Sequence, residues 1–177
     1  TGHSAYLKIS DGCSAACSFC AIPQIKGPHR SKEWSAILAE VRELADAHVQ
    51  EIILVGQDTT AYGLDLGQHD ALPALIADMC HAAPDVPWLR LMYAYPQHVS
   101  PRLIELLATN PRLCHYLDLP LQHAHPDTLQ RMRRPADIEQ VHLLIEQLRT
   151  AVPDIALRTT FIVGFPGETE SEFQALL

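Results

Sequence analysis

The segment SDGCSAACSFCAIP, residues 10–23, spaces Cys13, Cys17 and Cys20 as C-x-x-x-C-x-x-C. Two disulfides would take four cysteines, and a structural zinc site closes with four ligands. Three thiolates in a single loop introduced by Gly12 suit another task, holding an iron–sulfur cluster while one metal corner stays open. The other two of the five cysteines, Cys80 and Cys114, lie far along the chain among apolar residues. They read as small buried hydrophobes.

Other polar residues carry weaker signals. Lys26, His29 and Arg30 form a small basic cluster after the cysteines, read as a solvated charge run, with an acidic substrate as the alternative. His123 and His125 form an H-A-H pair with no carboxylate or cysteine in the local pattern, so neither is assigned as a metal ligand.

Composition bounds the setting. The 177 residues are 47% hydrophobic and 19% charged, enough for one sizeable core. A formal net charge of −8 excludes a general nucleic-acid binder, so no direct nucleic-acid binding is expected of this chain. No apolar run approaches the roughly 20 residues a membrane span needs, and TGHSAYLKIS has no signal-peptide pattern. Clustered free cysteines fit a reducing compartment, and the expected location is cytoplasmic.

The elements that must position the cysteines follow from periodicity. AYLKIS (5–10), EIILVGQD (51–58), WLRLMYAYP (88–96), YLDLPLQ (116–122) and ALRTTFIVGF (156–165) read as strands, the second as one buried on both faces. Helices are expected between them. One carries Ile37, Val41, Leu44 and His48 on a face, and another covers 71–83. A third is capped by Ser100 with Pro101 at its first position, and a fourth carries a stripe of Ile138, Val141, Ile145 and Leu148 with Leu144 beside it. Thr169 and Glu172 form a capping box for a last helix.

Strict strand–helix alternation implies an α/β fold with a parallel sheet and right-handed crossovers. A doubly wound sheet and a barrel both fit. The unusual residues decide for the barrel, because Cys13, Gln57–Asp58, Tyr95–Pro96, Gln122–His123 and Gly164–Phe165 all follow strand ends, which a βα barrel gathers on one face. Five units are too few to close it. The expected fold is a partial, open parallel βα barrel in one domain over 1–177.

The cysteine motif directly after the first strand, with the aromatic Phe19 before the third cysteine, resembles the signature of radical S-adenosylmethionine (SAM) enzymes. The segments CAIPQIKGPHRSK, ILVGQDTTAYG, YAYPQHV, YLDLPLQHAHPDTLQRMRR and LRTTFIVGFPGETESEF are together similar to the methylthiotransferases, in particular the branch that modifies a ribosomal protein. Gly56–Gln57–Asp58–Thr59–Thr60 and Pro120–Leu121–Gln122–His123–Ala124 differ from the tRNA branch, which typically shows G-Q-N-V-N and P-V-Q-S-G there. Pro135 stands where the family pattern has glycine.

The resemblance implies that Cys13, Cys17 and Cys20 hold three irons of a 4Fe–4S cluster and that SAM chelates the fourth. It implies a methylthio group added to the β-carbon of an aspartate in the twelfth protein of the small ribosomal subunit, with an electron donor as a further partner. tRNA-adenosine methylthiolation is the alternative within the class, and a non-catalytic iron–sulfur or zinc module the alternative outside it. Family members also carry an N-terminal domain with a second, sulfur-donating cluster and a C-terminal β-rich domain. The expectation is that 1–177 is the central core without these and without its last strand, and that alone it transfers no methylthio group.

Site roles follow the same resemblance. Phe19 belongs to the cofactor-binding loop, and Gln57 and Asp58 face the SAM amino group, although Asp58 equally suits a helix cap. Gln122 addresses the ribose. Arg158 pairs either the methionine carboxylate or an acidic residue inside the barrel. Ile162 lies on the adenine and Gly164 permits close approach, although Gly164 and Gly167 also suit a turn around Pro166.

Overall fold

The computed structural model describes residues 2–134 and 137–177; Pro135 lies outside them. β1 (Ser4–Lys8), β4 (Glu51–Val55) and β5 (Trp88–Leu91) form one parallel sheet in that order. β6 (Tyr116–Asp118) and β7 (Ala156–Arg158) form a second parallel pair. The two are continuous through the backbone: Leu89 N–H donates to the Arg112 carbonyl at 2.7 Å, Cys114 N–H to Leu89 at 2.8 Å, and Ala94 N–H to Asp118 at 2.8 Å. Five parallel strands therefore follow one another in chain order. That order is the winding of a barrel, because a doubly wound sheet reverses direction part-way. The described strands do not close into a ring.

Alternation along the strands shows how the layers are built. Leu7, Ile52, Leu54, Leu89 and Leu91 are all at most 2% exposed and point outward beneath the helices. α2 (Trp34–Asp46) covers them with Ile37 and Val41, α3 (Leu72–Ala82) with Leu75, Ile76 and Met79, and α4 (Pro101–Thr109) with Leu103 and Leu107. The opposite face carries Glu51, Ile53 and Val55, only half-buried. β4 is thus not buried on both faces as its apolar run implies, because its inner face lines the open side of the barrel instead of packing on a layer.

Local signals set several boundaries. Ser100 Oγ accepts the Leu103 N–H at 3.1 Å, and Pro101 opens α4. Thr169 and Glu172 complete the capping box of α7 (Glu170–Gln174). In α6 (Ile138–Ala151) the buried stripe is Val141, Leu144 and Leu148, so Leu144 is central while Ile138 and Ile145 are half-buried flanks. His48 lies beyond the end of α2, exposed and with φ 59°, so it is not on that helix's face.

Four short elements lack a periodic signature. β2 (Ser10–Asp11) and β3 (Arg30–Ser31) pair antiparallel, α1 (Ile22–Lys26) follows the cysteines, and α5 (Pro126–Arg131) follows β6. Each is too short for a pattern of 2 or 3.6 to be read. The strands also end earlier than their apolar runs. After β5 and β6 the chain takes the left-handed conformation at Tyr93 (φ 59°) and Gln122 (φ 73°), which interrupts the regular strands, although Gln122 still makes an isolated parallel bridge to Phe161. Among the described residues, no helix is long and apolar enough to cross a membrane.

Candidate active site

The cysteine loop is held from several sides. The β2–β3 pair closes its base, and Cys13 N–H donates to the Gly27 carbonyl at 3.1 Å. Gly12 has φ 74°, and a Cβ there would press into the carbonyl oxygens of Gly27 and Pro28, so only glycine fits. Cys20 N–H closes a turn on the Cys17 carbonyl at 3.1 Å. Ser14 Oγ accepts the His29 N–H at 3.2 Å. Ser18 reaches across the fold: its N–H donates to the Met132 carbonyl at 2.9 Å and its hydroxyl to Arg131 at 2.9 Å.

All three thiols are free, half-buried and open on a cavity of about 680 Å³. Burial pushes the Cys13 thiol up; Asp58 and the other two thiols add to this, while the Ala15 N–H on its sulfur opposes it. Metal ligation requires the thiolate, so binding a metal would release the Cys13 proton. They do not converge as ligands of one ion would. Among the described residues, the only histidine, cysteine, aspartate or glutamate ligand atoms found as a trio within 4.8 Å of one another are those of His125, Asp127 and Glu172. Sulfurs set apart in this way suit a cluster in which each binds a different iron.

Across the cavity stand the ends of β4, β5 and β6. Gln57 lines it with a buried Oε1 that has no hydrogen-bond partner. A buried orphan acceptor is costly unless a donor arrives, and an ammonium group is such a donor. The Asp58 carboxylate also lines the cavity, and both of its oxygens are engaged. Oδ1 accepts from Thr60 Oγ1 at 2.6 Å and Ala61 N–H at 3.1 Å, while Oδ2 lies 2.8 Å from His98 Nδ1. Asp58 thus caps a turn and not a helix, since the next helical segments begin after Gly63 and Ala71, and its carboxylate still lines the cavity with the thiols. Thr59 and Thr60 tie this loop to the end of β5 through the Met92 carbonyl (2.6 Å) and the Tyr95 N–H (2.9 Å).

Phe19, Gln57, Asp58 and Gln122 join the three cysteines around this one cavity. Arg158, Ile162 and Gly164 lie beyond its lining. Arg158 is paired at 3.8 Å with buried Asp118, the acidic residue inside the barrel, and its own side chain is 57% exposed. The Ile162 N–H donates to the Gln122 carbonyl at 2.8 Å, continuing the β6–β7 pairing to the rim. Gly164 (φ 75°) and Gly167 (φ 82°) form the turn around Pro166, and a Cβ at Gly164 would meet nothing within 4 Å.

Residues 7–177 match the family model of the Radical SAM superfamily. The chain belongs to that superfamily. It is 60% identical over 176 residues to the ribosomal protein uS12 methylthiotransferase RimO of Roseiflexus sp. (strain RS-1), covering 99% of this chain and 37% of that protein. A protein of the same name from Trichlorobacter lovleyi is 49% identical over 172 residues, covering 97% of this chain and 38% of the relative. The chain thus spans well under half the length of these curated relatives.

Two solved radical SAM structures share the fold at low identity. The methyltransferase TsrM from Kitasatospora setae, with tryptophan and a SAM analogue bound, superposes with TM-score 0.76 at 21% identity, covering 98% of this chain and 33% of that one. The cobalamin-dependent radical enzyme OxsB, with aqua-cobalamin and SAM bound, gives TM-score 0.74 at 15% identity, covering 97% and 25%.

For this radical SAM chain, the structure also corrects and extends the residue assignments. His29 is not on a solvated surface: it is 8% exposed, lines the cavity, and faces Asp65 at 3.8 Å, which Ser31 Oγ holds at 2.6 Å. Lys26 and Arg30 stay exposed, Lys26 lying 3.7 Å from Asp11. Cys80 is buried, but Cys114 is only half-buried. The H-A-H pair does acquire carboxylates, as Glu168 lies 3.6 Å from His123 and Glu172 3.8 Å from His125. Glu172 is nevertheless committed to Arg131 at 2.8 Å, and its carboxyl is held down at about 2, chiefly by that bond and then by the Thr169 N–H.

Tyr93, Tyr95, His98, Arg133 and Arg134 also line the cavity; they lie in segments that carry the family resemblance but have no role assigned by it. Two of them, Tyr93 and Arg133, have positive φ, as does Gln122. Such strain concentrates at functional sites.

Proposed function

We propose that this chain is the radical SAM core of a methylthiotransferase acting on the β-carbon of an aspartate in the twelfth protein of the small ribosomal subunit. One observation carries the chemistry: three free thiols line a single cavity of about 680 Å³, with Gln57 and Asp58 among its other lining residues. The choice of substrate is supported by relatives 47% to 60% identical that are named for it.

Cys13, Cys17 and Cys20 would hold three irons of a 4Fe–4S cluster, with Phe19 in the same loop. A cluster with one open corner supplies the electron that splits bound SAM into methionine and a 5′-deoxyadenosyl radical. Gln57 and Asp58 accept hydrogen bonds from the SAM ammonium, and Gln122 orients the ribose. Arg158 would have to turn from Asp118 to pair the methionine carboxylate, and Ile162 and Gly164, on the β7 rim beyond the lining, would flank the adenine. The walls of the cavity keep water and other hydrogen donors from the reacting carbon. An electron donor and a second, sulfur-donating cluster outside residues 1–177 complete the requirement, and the setting is the cytoplasm.

The test is anaerobic loading with iron and sulfide, then assay for SAM cleavage. About four irons, a broad brown absorption and 5′-deoxyadenosine are expected; a colourless zinc protein without cleavage overturns the reading. With the full-length enzyme, the ribosomal protein should gain the mass of a methylthio group. The same gain on tRNA instead overturns the substrate half.

A further inference from the structure

We propose that Arg134 is a positioning residue for the cysteine loop, holding a fixed positive charge on the Cys17 sulfur and so raising the reduction potential of the cluster those thiolates carry. The inference rests on the cluster reading above.

The guanidinium is fixed from three directions. Its Nη1 donates to Cys17 Sγ at 3.9 Å, its Nη2 donates to the Pro120 carbonyl at 2.8 Å, and its carbon lies 4.3 Å from the centroid of the Tyr95 ring. A planar fork held by a carbonyl and stacked on an aromatic face has little freedom left, so the third contact is placed and not merely encountered. These partners are a sulfur, a carbonyl oxygen and a ring face. None is a carboxylate, so none of them cancels the charge.

The segment bearing Arg134 is docked on the loop independently of that side chain. The carbonyls of Arg131 and Met132 accept from Ser18, one residue past Cys17, and Arg134 N–H closes on the Leu129 carbonyl at 2.9 Å. Arg133, at φ 51°, turns the chain between them. Changing the Arg134 side chain therefore leaves the clamp in place while removing the charge.

The physical consequence has a definite sign. A cluster becomes more negative on reduction, and its potential follows net charge and hydrogen bonds to its sulfurs. A cation donating to a thiolate sulfur stabilises the more negative state. Arg134 thus favours the reduced form, the one that delivers an electron.

The experiment is an EPR-monitored potentiometric titration of the anaerobically loaded protein, wild-type beside Arg134→Gln and Arg134→Lys. Arg134→Gln is expected to keep its iron and to show roughly a tenfold lower reduced-to-oxidised ratio at a given applied potential, which is 59 mV more negative for a one-electron couple. Arg134→Lys keeps a charge but not the fork, and should shift less in the same direction. A wild-type midpoint in Arg134→Gln overturns the proposal. If that variant retains no cluster, Arg134→Lys decides: a more negative midpoint supports the proposal and an unchanged one overturns it. Failure of the wild-type protein to take up iron is a separate result, which overturns the cluster reading and this inference with it.

Discussion

The cysteine wall of the cavity and the β7 rim beyond its lining are built differently. The cysteine wall is over-determined, with a two-stranded base, a glycine no other residue could replace, and backbone or hydroxyl bonds from Ser14, Ser18 and Gly27. The rim from β7 onward, outside the cavity lining, is exposed along much of its length. Ala156, Arg158, Thr159, Thr160 and Phe161 are exposed, and Gly164 faces open space. A metal-binding loop gains from being shaped before the metal arrives, since ordering it afterwards would cost conformational entropy. The β7 rim shares no such requirement until a ligand lies against it.

The largest expected effect tests the rigid wall directly. Replacing Cys17 by alanine should abolish stable cluster binding and SAM cleavage together, whereas Cys80→Ala and Cys114→Ala should keep the cluster. Iron analysis decides, and normal iron in Cys17→Ala would break the comparison at its root.

A pair of glycine variants sharpens it. Gly12→Ala combines a left-handed φ with a clash against two backbone carbonyls, and should cost about 2–5 kcal/mol and impair iron uptake. Gly164→Ala meets no atom within 4 Å and should cost only the backbone term, about 1–2 kcal/mol. Denaturant unfolding of both proteins measures this, and equal losses would show the cysteine wall and the β7 rim to be alike.

Asp58 lines the cavity across from the cysteines, and its geometry suggests a better variant than alanine. Asp58→Asn keeps an oxygen for the Thr60 hydroxyl and Ala61 N–H while removing the charge. SAM affinity by calorimetry should fall by about 1.5–3 kcal/mol, the range for a hydrogen bond to a charged group, with the melting temperature nearly unchanged. The opposite pattern, intact affinity and a lower melting temperature, would leave Asp58 as a cap alone.

The smallest effect concerns the loose side. Glu172 has its pKa lowered from 4.5 to about 2 by Arg131 and the Thr169 N–H. A depressed folded-state pKa adds stability above the unfolded value that is lost as pH falls, here between about 4.5 and about 2. Thermal melts of the metal-free protein should therefore decline across that window less steeply in Glu172→Gln than in wild-type. Equal slopes would remove Glu172 from the account of how α7 is anchored.

What the sequence determined by itself was whatever depends on near neighbours. Cysteine spacing, the Ser100–Pro101 start of α4, the Thr169–Glu172 box and the strand–helix alternation are all written within a few residues. Their physics is local, in ligand reach, capping geometry and side-chain period. The family resemblance extended that reading to Gln57, Asp58 and Gln122, which do line the cavity. Tertiary structure alone decided the rest. His29 became a cavity residue because Asp65 and Ser31 fold over it, and the Gln57 acceptor became an orphan only where burial removed its water. Arg134 meets Cys17 across 117 positions of chain, a contact no local pattern encodes. Burial and long-range pairing are properties of the packed layers, so they exist only once β4, β5 and β6 have brought their ends to one face.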